Sequence, residues 1–343
     1  MKNRNWILTN RPQGAIGSGD LTREDRDIPA PGDGEVLVRV LYLAMDPAIR
    51  GFMNASGNYA APLPLGAPVR GVMLGQVVRT GQGTELREGQ FVWGFGTWSD
   101  YVVAPASQFY VVDADADSDL PSFTHVRGTI GLTAYYGLLD VGDFKAGDTV
   151  LVSGAAGAVG SLVGQIAKIN GASRVVGIAG GTEKCQRALD DYGYDICIDY
   201  RSCSDLKTEL GAILPEGIDL LFENVGGSIF EASLNHLARN ARIAICGMIS
   251  RYNTSNVEPG PSNLWNLVVK TAQVRGFLVS SILGDRARTG AMLKSINGWI
   301  SEGRLKCDID IREGFETVPD VYNCLFTGAH KGRLIVKIAD PLR

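Results

Sequence analysis

The chain has 343 residues, of which 45% are hydrophobic and 20% charged, and its 33 basic and 37 acidic residues give a formal net charge of -4. This length exceeds what one hydrophobic core usually serves, so we expect two domains. The balanced charge, with no long run of one sign, argues against a nucleic-acid-binding surface. No stretch approaches the roughly 18 unbroken apolar residues of a membrane span, and we expect neither membrane insertion nor a signal peptide.

The first third of the chain alternates short apolar runs with turns rich in glycine and proline. Such runs, bounded by turn residues, are typical of β-strands. The predicted strands lie at residues 35–45, 74–78, 90–93, 101–104 and 109–112. We therefore expect a compact, mostly antiparallel β domain in this part of the chain.

The pattern changes after about residue 121, where buried-type strands alternate with apolar residues at helical spacing. The predicted strands lie at residues 149–153, 174–179, 196–199, 218–223, 242–246 and 273–279. The predicted helices lie at residues 159–168, 182–191, 228–238 and 291–300. This alternation indicates an α/β fold with a doubly wound parallel sheet. A last apolar segment at residues 333–338 is expected to rejoin the first domain.

A glycine-rich segment, SGAAGAVGS at residues 153–161, lies where the first of these strands ends and a helix begins. Small residues there let the backbone approach a pyrophosphate, and the helix N-terminus supplies free N–H groups. The spacing is GxxGxxG rather than GxGxxG, so the position in the α/β series carries more weight than the motif itself. The segment predicts a dinucleotide site; the alternative is a tight turn that only packs a helix on the sheet.

The end of the second strand of this series distinguishes NAD from NADP. An NAD enzyme usually has an acidic residue about 20 residues beyond the glycines, where it binds the ribose 2′-hydroxyl. Here Ala179 is followed by Gly180 and Gly181, with no carboxylate to repel a 2′-phosphate, and Lys184 follows within one turn. Glu183 argues against this unless its side chain points to solvent. We predict NADP(H) as the cofactor.

The sequence predicts no metal site. There are three histidines, and the six cysteines form neither a CxxC pair nor the four-cysteine cluster of a structural zinc site. The unpaired cysteines favour a reducing, cytoplasmic location. None of the 11 tyrosines has a lysine four residues later, which excludes the mechanism of the short-chain reductases.

Several blocks of sequence in a fixed order now identify a family. They are MDPAIRG at 45–51, GTIGLTAY at 128–135, AAGAVGS at 155–161, VGQIAK at 163–168, ENVGG at 223–227 and RIAICGMIS at 242–250. With them the chain resembles, nearly end to end, the medium-chain dehydrogenase/reductases. The resemblance is to the zinc-free branch of prostaglandin reductases, plant double-bond reductases and bacterial curcumin-reductase-like proteins.

The resemblance implies a fold, an assembly and a reaction. It implies a GroES-like, mostly antiparallel β catalytic domain from residues 1–126 and 301–343, a Rossmann NADP-binding domain from residues 127–300, and a homodimer. It also implies NADPH-dependent reduction of the C=C bond of α,β-unsaturated ketones or aldehydes. In that reaction hydride goes to the β-carbon and a proton goes to the α-carbon.

The resemblance also implies site residues. Lys184 and Tyr200 are expected to bind the 2′-phosphate of NADP, and Asn224 is expected near the ribose on the nicotinamide side. The complete set expected at the cofactor is Met45, Pro47, Thr133, Ala156, Gly157, Ala158, Val159, Gly160, Gly180, Lys184, Tyr200, Asn224, Cys246, Gly247, Ile249, Ser250, Tyr252, Phe277, Leu278, Val279, His330 and Gly332. The chain departs from the family at Ala48 and near Val269, where relatives carry tyrosines, and at His330, which replaces an asparagine.

Without zinc to polarise a carbonyl, a conjugated enone is the easier acceptor, because hydrogen bonds can meet the enolate charge. Tyr59 and Tyr252 are the candidates for the hydroxyl that assists protonation, with water as the alternative donor and a packing role as the alternative for each tyrosine. The partner is a small enone or enal. Two other functions stay open: a zinc-free quinone reductase and a non-catalytic NADPH-binding protein.

Overall fold

The computed structural model describes residues 2–55, 60–114, 119–253 and 259–342. Two compact units divide the chain: unit 1 comprises Met1–Thr124 and Ile309–Arg343, and unit 2 comprises His125–Asp308. We expected the second domain boundary after residue 300, whereas unit 2 extends to Asp308. The side-chain amide of Gln165 donates to the carbonyl oxygen of Lys306 and accepts from its N–H. The carboxylate of Asp308 forms an ion pair with Arg187.

The N-terminal part of unit 1 is built mainly of strands. They are β1 (Lys2–Leu8), β2 (Leu21–Asp27), β3 (Glu35–Ala44), β4 (Arg70–Thr80), β5 (Phe91–Thr97), β6 (Tyr101–Pro105) and β7 (Phe109–Val112), with helix α1 (Ala48–Phe52) after β3. The β1–β2 hairpin was not predicted, because β1 buries asparagines and β2 exposes charged residues at most positions. Burial of these asparagines is tolerated because their side chains form hydrogen bonds: Asn3 with the backbone of Tyr101, and Asn5 with the hydroxyl of Ser99.

Unit 2 has the predicted alternation of helices and strands. Its helices are α2 (Thr129–Tyr135, continued by a π-helical turn, Tyr136–Val141), α3 (Ala158–Ile169), α4 (Thr182–Asp190), α5 (Leu206–Ile213), α6 (Gly227–Leu234), α7 (Trp265–Val269), α8 (Ser280–Leu283) and α9 (Arg286–Ser301). Its strands are β8 (Thr149–Ser153), β9 (Arg174–Ala179), β10 (Ile196–Asp199), β11 (Ile218–Glu223), β12 (Leu237–Ile245) and β13 (Gln273–Gly276). These form one parallel sheet in the order β10-β9-β8-β11-β12-β13, which confirms the predicted fold class.

Two predicted elements of unit 2 end early. The helix predicted to residue 238 stops at Leu234, because the chain turns at His236 and Leu237 already pairs with Ile218 in the sheet. The strand predicted to residue 279 stops at Gly276, because the following residues turn into α8. Both errors lie at boundaries where the next element begins after no more than three intervening residues.

The C-terminal segment returns to unit 1 as β14 (Ile309–Glu313), α10 (Val318–Thr327) and β15 (Arg333–Lys337). β15 pairs antiparallel with β3 and parallel with β14, extending a sheet of order β14-β15-β3-β4-β5-β7, which confirms that the last apolar segment rejoins the first domain. Over the described ranges, no helix combines the length and hydrophobicity needed to cross a membrane.

Candidate functional site

The glycine loop between β8 and α3 is packed so closely at Gly160 that no side chain fits there. Gly154 has a φ of 65°, in the left-handed region that favours glycine. A Cβ at Gly160 would lie 2.2 Å from the Gly154 carbonyl oxygen and 2.9 Å from the Cα of Ala155. No side chain caps α3, which begins after Gly157. Its first amide groups therefore remain for an anion at the surface of the loop.

Ser153, the last residue of β8, joins this loop to the end of β11. Its hydroxyl donates to Oε1 of Glu223 at 2.7 Å and accepts from the backbone N–H of Asn224 at 2.8 Å. The side-chain amide of Asn224 donates to the carbonyl oxygen of Ser153 at 2.7 Å. Asn224, expected at the nicotinamide-side ribose, is thereby held against the end of β8, and its amide oxygen accepts no hydrogen bond from a described residue.

Glu223 is a fully buried carboxylate that the sequence analysis missed. Its Oε1 also accepts from the backbone N–H groups of Val225 and Gly226, whereas its Oε2 has no hydrogen-bond partner among the described residues. Burial raises the pKa of this carboxyl group, and the hydrogen bonds to its charged form act in the opposite direction. The available signal was an acidic residue ending an apolar run in a buried strand.

The segment after β12 lies along the end of β11. Cys246 and Gly247 donate backbone N–H groups to the carbonyl oxygen of Glu223, at 2.9 and 3.2 Å. Ile249 and Ser250 donate in the same way to Asn224 and Val225, at 3.1 and 3.0 Å. The structure thus brings together the predicted residues around Asn224 and Cys246. Burial, and secondarily the charge of Glu223, raises the pKa of Cys246 to about 12, so its thiol is neutral rather than nucleophilic.

Tyr252 lies beside this segment. Its hydroxyl oxygen accepts from the backbone N–H of Met248 at 3.2 Å, and a Cβ at Gly247 would lie 2.9 Å from the same oxygen. Burial raises the pKa of the phenol, so it keeps its proton near neutral pH. The other candidate, Tyr59, lies outside the described residues.

Phe277 anchors the next predicted segment. Its ring makes edge contacts with Tyr136 at 5.6 Å and with Phe222 at 6.1 Å between ring centroids. Gly137 makes room for it, because a Cβ there would lie 2.2 Å from Cζ of Phe277. Most of the ring therefore packs inside unit 2, and Leu278, which is exposed, follows it directly.

A positively charged corner lies at the carboxyl ends of β9 and β10. A Cβ at Gly180 would lie 2.8 Å from Cε1 of Tyr200, so the tyrosine packs directly on this glycine turn. The pKa of Lys184 is lowered, first by burial and then by the positive charges of Arg201 and Arg187. The corner thus holds the two predicted residues, and the structure adds Arg201. A basic residue directly after Tyr200 was the signal available in the sequence.

The remaining predicted residues lie in well-anchored positions. Thr133 donates its hydroxyl to the Thr129 carbonyl oxygen at 2.7 Å within α2. In unit 1, Met45 is buried, and Pro47 is the N-cap residue of α1. Nδ1 of His330 lies 3.1 Å from the carbonyl oxygen of Cys324.

Unit 1 also holds a buried arginine that the sequence analysis missed. Arg333 donates to the Thr124 carbonyl oxygen at 3.0 Å and pairs with Oδ1 of Asp46 at 2.5 Å. It follows Gly332, whose φ is 57°. Arg333 thereby fixes the side chain of Asp46, and its Nη1 also donates to the carbonyl oxygen of the predicted residue Met45 at 3.4 Å. Within the part of the chain that is described, no cluster of three or more histidine, cysteine, aspartate or glutamate side chains is arranged to hold a metal ion.

Comparisons with known proteins identify the family to which the chain belongs. Family models described as the N-terminal domain of oxidoreductase and as zinc-binding dehydrogenase match residues 4–112 and 158–297. The NADPH-dependent curcumin reductase of Escherichia coli is 35% identical, over 98% of this chain and 97% of that protein. The NADP⁺-dependent 2-alkenal reductase of Nicotiana tabacum is 34% identical, over 99% and 98%. The crystal structure of CurA in complex with NADPH from Vibrio vulnificus superposes with a TM-score of 0.92 at 36% identity, over 98% of this chain and 100% of that one. The chain therefore belongs to the medium-chain dehydrogenase/reductases, in the branch of the curcumin and 2-alkenal reductases.

Proposed function

We propose that this protein is an NADPH-dependent oxidoreductase that reduces the C=C bond of α,β-unsaturated ketones and aldehydes. The observation that carries the proposal lies at the carboxyl ends of the parallel strands of unit 2, where a close-packed glycine loop follows β8. The turn after β9, Ala179-Gly180-Gly181, has no carboxylate of its own, and the carboxylate of Asp199 beside it accepts the backbone N–H of Gly181. The reaction class is inferred from the relatives, which are an NADPH-dependent curcumin reductase and an NADP⁺-dependent 2-alkenal reductase. The tight loop and the basic corner fit a dinucleotide with a 2′-phosphate.

We assign unit 2 to NADP binding and unit 1 to a GroES-like catalytic domain. When bound, NADPH supplies the hydride for the β-carbon of the substrate. In this proposal the amides at the start of α3 bind the pyrophosphate, Lys184 and Tyr200 bind the 2′-phosphate, and Asn224 binds the ribose on the nicotinamide side. The segment after β12 and the segment after Phe277 line the ring.

Tyr252 is our candidate for the proton donor. Among the described residues its hydroxyl oxygen accepts one hydrogen bond, from the backbone N–H of Met248, and the phenolic hydrogen is donated to none of them. A neutral phenol can stabilise an enolate oxygen or protonate the α-carbon. Tyr59 stays a second candidate from the sequence, and the two single phenylalanine variants distinguish them.

The test uses NADPH deuterated at the transferred position, with an enone, an enal, a quinone and a plain ketone as acceptors. We expect saturated products from the enone and enal with deuterium at the β-carbon, and solvent-derived hydrogen at the α-carbon. Y252F should lower kcat by a larger factor than it raises the KM for NADPH, because Tyr252 also lies in the segment expected at the cofactor. Turnover of the quinone alone, or NADPH binding without any turnover, would overturn the proposal.

We further propose that the reaction needs no zinc. Zinc-dependent relatives use cysteine, histidine and glutamate ligands, and this chain has Met45-Asp46-Pro47 where a ligand cysteine is expected. Dialysis against a strong chelator should leave enone reduction unchanged. A loss of activity that added zinc restores would contradict this.

We propose that the protein is a homodimer formed through α7 and β13. β13 is the edge strand of the sheet, and every residue of it is exposed. Trp265 and Val268 on α7 are 71% and 60% exposed. An open strand edge beside exposed apolar side chains is a surface that a second copy would cover.

Light scattering after size exclusion tests the assembly. We expect wild type to elute as a dimer and V268D as a monomer. V111D, which changes a valine of unit 1 that is 54% exposed, is the matched control and should stay dimeric. A monomeric wild type at micromolar concentration would refute the proposed interface.

We propose a cytoplasmic location, because all six cysteines are free thiols, as a reducing compartment allows. Cell fractionation tests this, and recovery of the protein outside the cytoplasmic fraction would contradict it.

A further inference from the structure

Two cationic side chains face the same corner of unit 2. Lys184 lies in the first turn of α4, and Arg201 lies two residues after the end of β10. They are close enough for the charge of Arg201 to lower the pKa of Lys184. The neighbouring Arg187 pairs with Asp308. Lys184 and Arg201 are in no direct ion pair among the described residues, although the charge of Glu183 acts on Lys184 and that of Asp199 on Arg201. Two like charges in this arrangement repel, and an anion bound by both relieves the repulsion.

One carboxylate fixes the backbone that carries Arg201. Oδ1 of Asp199 accepts from the N–H of Gly181 at 2.7 Å and from the N–H of Arg201 at 3.0 Å. The bond from Gly181 is the main cause of the lowered pKa of Asp199. A single oxygen atom therefore connects the start of α4, where Lys184 lies, to the turn after β10.

The Arg201 side chain lies against backbone rather than extending freely into solvent. A Cβ at Gly180 would lie 3.1 Å from Nε of Arg201 and 3.0 Å from the hydroxyl of Tyr200. Cζ of Arg201 is 6.0 Å from the centroid of the Tyr200 ring. The absence of a side chain at Gly180 lets both residues approach the turn, and Arg201 stays exposed to a ligand.

We propose that Arg201 binds the 2′-phosphate of NADPH together with Lys184, and that Asp199 is the positioning residue that holds Arg201 in place. This inference rests on the proposed NADPH-dependent function. A phosphate offers three acceptor oxygens, which a guanidinium binds through two parallel hydrogen bonds and a lysine binds as a point charge. NADH has a hydroxyl group at this position, so the contribution of Arg201 is confined to the phosphorylated cofactor.

Calorimetric titration of the full-length protein tests Arg201 without catalysis. The probes are adenosine 2′,5′-bisphosphate and adenosine 5′-monophosphate, which differ by the 2′-phosphate alone. R201Q should weaken binding of the bisphosphate by about tenfold or more and change binding of the monophosphate less than about twofold. The matched control is R239Q, which removes an exposed arginine near the amino end of β12 and should change neither affinity.

Two variants of Asp199 separate positioning from charge. D199A loses the acceptor for both backbone N–H groups and should weaken binding of the bisphosphate selectively. D199N keeps an acceptor oxygen and removes a negative charge, so it should bind the bisphosphate at least as tightly as wild type. Equal losses in D199A and D199N would overturn the positioning role.

The same titrations distinguish the inference from the function beneath it. A wild type that prefers the bisphosphate, with R201Q keeping that preference in full, would overturn the role of Arg201 and leave NADPH dependence intact. A wild type with no preference for the bisphosphate would overturn NADPH dependence, and this inference with it.

Discussion

Two carboxylates at two strand ends of the same sheet do the same structural work in different surroundings. Asp199, at the end of β10, accepts the backbone N–H groups of Gly181 and Arg201, which lie in two different turns. Glu223, at the end of β11, accepts two backbone N–H groups of the turn that follows it and the hydroxyl of Ser153 from the end of β8. Yet the pKa of Asp199 is lowered and that of Glu223 is raised. Hydrogen bonds to the charged form dominate at the exposed carboxylate, whereas desolvation dominates at the buried one.

The difference divides the proposed cofactor site into two parts. Around Asp199 the charged side chains are exposed or partly buried, so they can change with little effect on the core. Glu223 is buried against Ser153, and the residue before it, Phe222, contacts the ring of Phe277, so changes there also affect folding. We therefore expect changes in the first part to affect selectivity between NADPH and NADH, and changes in the second to affect stability and both cofactors together.

The largest effect is expected at the exposed part. K184Q removes a charge-assisted hydrogen bond to the 2′-phosphate, worth roughly 1.5–3 kcal/mol, or about 10- to 100-fold in affinity. The KM for NADPH should rise by that factor and the KM for NADH should stay within about twofold, in steady-state assays with one enone. K294Q, which changes an exposed lysine of α9, is the control. Equal increases for both cofactors would contradict the assignment of Lys184 to the phosphate.

The buried part is tested by G137A. The added Cβ would lie 2.2 Å from Cζ of Phe277 and 2.7 Å from Cε2 of Phe222, so the ring must move. Overpacking of this kind lowers the free energy of unfolding by roughly 1–3 kcal/mol, which urea denaturation measures. The KM values for NADPH and NADH should rise together, because the segment after Phe277 moves with it.

G290A is the control for G137A. A Cβ at Gly290 meets nothing within 4 Å, and alanine is the better helix former, so this variant should be at least as stable as wild type. Similar stability of the two variants would show that Gly137 does not make room for Phe277.

Periodicity predicted the parallel sheet of unit 2 because its strands are continuous apolar runs, such as Thr149–Ser153, whose bounds were predicted correctly. It missed the β1–β2 hairpin, where buried asparagines and exposed charges reverse the usual pattern. Such positions depend on partners distant in sequence, as with Asn5 and Ser99.

The site shows the same limit. The glycine loop and Lys184 follow from local spacing and type, so they could be predicted. Arg201 and Glu223 were missed, because residue type alone is a weak signal and their roles depend on contacts between turns that only the sheet brings together. Local spacing identified Lys184, and the three-dimensional arrangement was needed for Arg201 and for the carboxylates that hold the turns.

A smaller effect concerns the pH dependence of NADPH affinity. Because the pKa of Lys184 is lowered, it loses its charge at a lower pH than an ordinary lysine. Above pH of about 7 the 2′-phosphate is a dianion, so its own titration does not interfere. Affinity should therefore fall as pH rises through the lowered pKa. In R201Q the repelling charge is gone, the pKa of Lys184 rises, and the fall should move to higher pH. Fluorescence titrations that show the same midpoint in both proteins would contradict the coupling.

The smallest effect returns to the two carboxylates. The raised pKa of Glu223 means that its contribution to stability is present below the ordinary glutamate range and is lost as pH rises through the raised value. Asp199 has the opposite sign, because its lowered pKa contributes stability that is lost as pH falls through that value. The free energy of unfolding of wild type relative to E223Q should fall with rising pH, whereas that relative to D199N should rise. Urea denaturation across the acidic to neutral range measures both, and slopes of the same sign would show that burial does not distinguish the two positions.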